Sequence, residues 1–190
     1  MRLVLNFCLL LISIPLFGKQ DDVIKEKADS LQFLAREISY GNAFEDVYLR
    51  TFPSDFDTFL QIFGDRNETS SGSFDGGPLY DEGYTHIMEI MLTIDEKVDL
   101  QMYYQKLVDA SINGRWQADG VNFFSGLVGY KMKERPDRFF SILCQKNPEE
   151  IDSFWDFYVD GPHGEKRLDG MLLLVEDYPK LKSSVKRYIK

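Results

Sequence analysis

Two stretches set a histidine among carboxylates, the arrangement from which general acid–base or metal chemistry is most readily built. The first is VDGPHGEK, Val159 to Lys166, where His163 stands between Asp160 and Glu165. The second is GGPLYDEGYTHI, Gly76 to Ile87. On a helix through His86, Glu82 is four residues back and Glu89 three ahead, so one face could carry an imidazole and two carboxylates. Such a set could move a proton during hydrolysis or share a divalent cation. Both histidines follow a Gly-Pro pair, Gly77-Pro78 and Gly161-Pro162. If both turns lie at one end of the molecule, Tyr80, Asp81, His86, Asp160 and His163 form one acidic pocket rimmed by aromatic residues.

Each histidine also has a plainer explanation. Asp160-Gly161 supplies a residue able to take the left-handed conformation that closes a helix, Pro162 cannot continue it, and Gly164 frees the backbone again. VDGPHGEK therefore reads first as a turn between helices, with His163 exposed on it. Around His86, Gly83 discourages a helix from reaching back to Glu82, and the expected arrangement is a solvated polar face with a partly buried histidine. The motifs that would sharpen a catalytic reading do not occur: there is no HExxH, paired CxxC, EF-hand loop, GxSxG, phosphate loop or dinucleotide fingerprint. No metal and no cofactor are expected. Cys144, beside Leu143, reads as a small buried hydrophobe rather than a nucleophile.

The segment from Gly64 to Gly83 is the most unusual feature. About twenty residues rich in Gly and Ser, without helical pattern, are uncommon in a folded domain unless they serve a function or are disordered. Phe74 and Tyr80 lie within it, and aromatic residues among acids and glycines suit a contact surface. Asn67-Glu68-Thr69 matches a glycosylation sequon. In NGRWQADGVNFF, Asn113 to Phe124, Trp116 is expected to cover the end of the preceding helix and Asp119 to cap the next or sit in its first turn.

The elements that must position these residues are helical nearly throughout. Ile24, Ala28, Leu31, Ala35 and Ile38 recur at three and four, with Gly41 as a stop. A short segment follows around Phe44 to Tyr48, and further helices are predicted over Ser54–Phe63, Tyr84–Ile94, Lys97–Ile112, Ala118–Glu134, Asp137–Lys146, Pro148–Val159 and Lys166–Asp177, with a last piece after Pro179. Pro53, Pro136 and Pro148 each precede apolar residues at +3, +6 and +7, the grammar of a helix that opens on proline and buries one face. Asn147 and Glu150 make a capping box at the last of these. No stretch sustains strand alternation. The fold class is all-α: eight to nine helices in an irregular stack of antiparallel αα-hairpins.

Met1-Arg2, an apolar run to Phe17 and the polar start at Lys19 make residues 1–18 a secretory signal peptide, leaving 19–190 as a single helical domain. The compartment is then periplasmic or extracellular. Cys8 lies inside the apolar run, so Cys144 would be the only thiol left and packing, not a disulfide, must stabilise the fold. A formal charge of −9 argues against nucleic acid, and the mature chain is not expected to insert into a membrane. The composition suits a non-catalytic exported protein, inhibitor- or immunity-like, that binds another exported protein through its acidic surface and the 64–83 loop. Two alternatives stay open. One is a hydrolase or metal-dependent enzyme using His86 or His163, and the other is a carrier of a small ligand in an aromatic cavity.

Overall fold

A computed structural model describes residues 17–65, 76–117, 119–162 and 164–189. The fold is all-α. Among the described residues ten α-helices run in order: α1 (Phe17–Ser39), α2 (Glu45–Thr51), α3 (Phe56–Phe63), α4 (Leu100–Asp109), α5 (Gly120–Glu134), α6 (Pro136–Leu143), α7 (Pro148–Val159), α8 (Gly164–Arg167), α9 (Met171–Leu174) and α10 (Pro179–Val185). Between α3 and α4 lie a π-helical segment, Thr85–Met91, and a 3-10 turn, Ile94–Lys97. Among the described residues the only β-pairing is an isolated bridge between Asp65 and Gly76.

Local chemistry explains most boundaries. The capping box at α7 is complete: Asn147 accepts from the Glu150 amide at 2.9 Å, and the Glu150 carboxylate accepts from the Asn147 amide at 3.0 Å. Pro136 and Pro148 occupy the first turns of α6 and α7. Pro53 does not play that part. Asp55 caps α3 through the Thr58 amide at 2.8 Å, and the helix starts at Phe56. Gly41 and Gly161 take φ of +84° and +86°, closing α1 and α7 as left-handed residues do. The count rises from the expected eight or nine because Gly170, at φ +75°, interrupts the expected 166–177 helix into α8 and α9. Likewise Asp99 caps α4 through the Met102 amide at 2.7 Å, so the helix expected from Lys97 begins at Leu100.

The buried side chains form one continuous cluster from Ile24 on α1 to Val185 on α10. Its centre is aromatic. Phe59 of α3 lies 4.6 Å, centroid to centroid, from Phe124 of α5, and Phe52, Phe56, Phe63 and Phe157 complete the group. A second group joins α4, α6 and α7 through Tyr104, Phe139 and Phe154. Offset and edge-to-face rings at these spacings add to their area burial. Packed this way, α1 lies on α2 and α3, α4 on α6, and α7 on α8 and α10, while α5 touches the π segment, α3, α6 and α7.

Candidate functional site

His86 sits near the start of the π-helical segment. The backbone bond from Leu92 N to Ile87 O spans five residues, so the helix is wider than an α-helix and its faces rotate. His86, Ile87, Ile90 and Met91 turn inward together. The histidine is fully buried rather than half-exposed on a polar face. Its Nδ1 shares a 2.7 Å hydrogen bond with the Tyr48 hydroxyl of α2, and the rings of Tyr48 and Phe63 pack against it at 5.9 and 5.4 Å. Gly83 does not block the helix: the His86 amide bonds back to the Glu82 carbonyl at 3.1 Å. Among the described residues Nε2 has no hydrogen-bond partner, with Glu82 Oε2 at 3.7 Å. Burial pushes the imidazole down to about 4, so it is neutral at neutral pH and Glu82 faces no charge there. Burial also raises the Tyr48 phenol far above its ordinary range.

Tyr80, Asp81 and Asp160 remain near the surface. The linker between α4 and α5 joins their two turns. Tyr80 donates to the Asp119 carboxylate, and that bond is the main reason the phenol is pushed up to about 12. Asp160 accepts from the Trp116 amide at 2.7 Å and from the Gly161 amide at 2.8 Å. Both Gly-Pro turns are therefore fastened to residues 116–119, Tyr80 from one side and Asp160 from the other. Asp81 is exposed beside Tyr80. Phe74 and His163 lie outside the described residues. Asp119 heads α5 at φ 53°, a strained value for a residue with a side chain, and makes no cap bond because Tyr80 holds its carboxylate. Trp116 packs on Gly161, where a Cβ would strike the indole, so it covers the end of α7 rather than that of α4. Among the described residues, no three of His, Cys, Asp and Glu are placed to share a metal ion.

The 64–83 segment is closed at its neck. Asp65 and Gly76 bridge, Gly77 N bonds Gly64 O at 2.8 Å, and Leu79 N bonds Ile62 O at 2.9 Å. Gln117 adds two bonds to the Asp65 backbone, at 3.1 and 3.3 Å.

Sequence reasoning missed an open groove. Phe33, Leu34 and Val47 line a groove of about 620 Å³ between α1 and α2, with Asp22, Lys25, Glu26 and Asp29 on its charged side. Phe33 is 48% and Val47 46% exposed, and Phe33 packs edge-on against Phe44 at 6.5 Å. The signal was present in α1. Phe33 falls off the Ile24–Ala28–Leu31–Ala35 stripe, an apolar residue where the buried face does not need one. Among the described residues no helix is long and apolar enough to cross a membrane. Comparison with known protein families, with curated proteins and with solved structures finds no match.

Proposed function

We propose that this chain is an exported, non-catalytic binding protein that grips another exported protein through the groove between α1 and α2. The observation that carries the reading is an open concavity whose floor is exposed Phe33 and Val47 and whose edge holds three acids and one lysine. Exposed aromatic and aliphatic side chains grouped in a concave, charged setting are the usual anchors of an interface. The acids of the edge, on a chain of formal charge −9, favour a segment that offers an apolar anchor flanked by Lys or Arg. The 64–83 loop, held at a fixed neck beside Gln117, offers a second contact. A hydrolytic role for His86 has less support, because that ring has no exposed surface on which to meet a substrate.

The test compares the tagged mature chain with a Phe33→Asp/Val47→Asp variant, both used to capture partners from the native exported fraction. A partner held by the native chain and lost by the variant, with the thermal midpoint of the variant intact, supports the groove. A partner retained equally by both removes the groove as the contact.

A further inference from the structure

A second pocket, of about 330 Å³, opens between the 3-10 turn and the last turn of α5. It lies apart from the groove and from both histidine stretches. Its floor is a built ion pair. The side chains of Lys131 and Asp95 are 4% and 7% exposed, and Lys131 Nζ donates to Asp95 Oδ2 at 2.8 Å and to Glu134 Oε2 at 2.9 Å. The ammonium lies 5.6 Å from the centroid of Tyr130, whose hydroxyl donates to the other Glu134 oxygen at 3.4 Å. Burial pulls the Lys131 ammonium down, but the bonds to Asp95 and Glu134 outweigh it and keep it charged. Two of its three N–H groups are engaged, and the third has no oxygen acceptor among the described residues. Withdrawing two charges from water returns little net stability.

Above this floor stand two charges of opposite sign. Glu96, on the 3-10 turn, and Arg135, at the junction of α5 and α6, both line the pocket and are exposed. Neither side chain makes an ion pair or hydrogen bond among the described residues. A ligand with a carboxylate and an ammonium would answer both: the Arg135 fork and the spare Lys131 N–H for the carboxylate, Glu96 for the ammonium. Three carboxylates in the lining stand against two cations, so a further positive charge on the ligand is favoured. Tyr130, 56% exposed at the rim, offers a ring face for it. We propose that this pocket binds a basic α-amino acid.

Calorimetric titration of the full mature chain with L-arginine at low ionic strength tests this. Saturable one-to-one binding is expected. Agmatine, which lacks the carboxylate, and N-acetyl-L-arginine, which lacks the ammonium, should each bind about tenfold more weakly, as the loss of one charged hydrogen-bonded contact implies. Arg135→Gln and Glu96→Gln should each weaken L-arginine by about tenfold with the thermal midpoint unchanged, because neither side chain has a partner to lose. Absence of saturable heat with L-arginine overturns the proposal. So does agmatine binding as tightly as L-arginine, or either variant binding as the native chain does.

Discussion

At the scale of single residues, His86 shows how one buried group links the fold to pH. Burial holds its imidazole at about 4, whereas an unfolded chain titrates it near 6.5. The unfolded state therefore takes up the proton first, and the sign follows: stability is full above pH 6.5 and is lost as pH falls from there towards 4. The displacement corresponds to about 3 kcal/mol across that window. Urea unfolding at stepped pH should show the midpoint falling between pH 6.5 and 5, before most carboxylates protonate. His86→Gln should flatten that limb while lowering stability at neutral pH by about 1–2 kcal/mol, through the hydrogen bond to Tyr48 that is weakened. A variant with the same limb as the native chain would mean that His86 is not the titrating group. The sequence names this histidine but not its burial. The α-helical register does place it beside Glu82, but Tyr48 and Phe63, which bury it, come from segments more than twenty residues away in sequence. Lys106 was equally out of reach, because its acceptors on Arg50, Phe52 and Ser54 are more than fifty residues away in sequence. Burial lowers that ammonium to about 8, and three contacts at the end of α2 hold it in place.

At the scale of elements, legibility follows the range of the interaction that sets each boundary. The capping box at Asn147, the prolines opening α6 and α7 and the left-handed Gly41 and Gly161 act within four residues, and the sequence displays all of them. The groove between α1 and α2 depends on what packs against what, and periodicity alone is silent on it. The 64–83 segment lies between these cases. Its composition marks it as a loop, but its neck is built from contacts with residues 62 and 117, which no local pattern announces. That neck carries a prediction. Because Asp65 and Gly76 are already bridged, a short Gly-Ser turn in place of residues 66–75 has its ends fixed and costs little closure entropy. Chemical denaturation should show a stability within about 1 kcal/mol of the native chain. A loss of several kcal/mol would mean that the segment packs into the fold instead of presenting a contact surface.

At the scale of the whole molecule, the excess of acidic over basic residues is the property that no single helix sets. The chain carries 31 acidic against 22 basic residues and has an isoelectric point near 4.8. Opposing pairs at the surface, such as Arg50–Asp46 and Lys182–Glu176, are largely solvated and individually worth little. The excess negative charge instead repels itself across a surface wide compared with the screening length of about 10 Å at 0.1 M salt. Adding salt at pH 7 therefore removes more repulsion than attraction. The melting temperature should rise by about 3 °C between low salt and about 0.5 M NaCl, the shift that about 1 kcal/mol produces in a chain of this length. Near pH 4.8 the net charge vanishes and the same addition should leave the melting temperature flat. The two pH values together separate self-repulsion from general salting effects, which would raise both curves alike. A melting temperature that falls with salt at pH 7 would show that the surface ion pairs, not the net charge, govern the electrostatics of this fold.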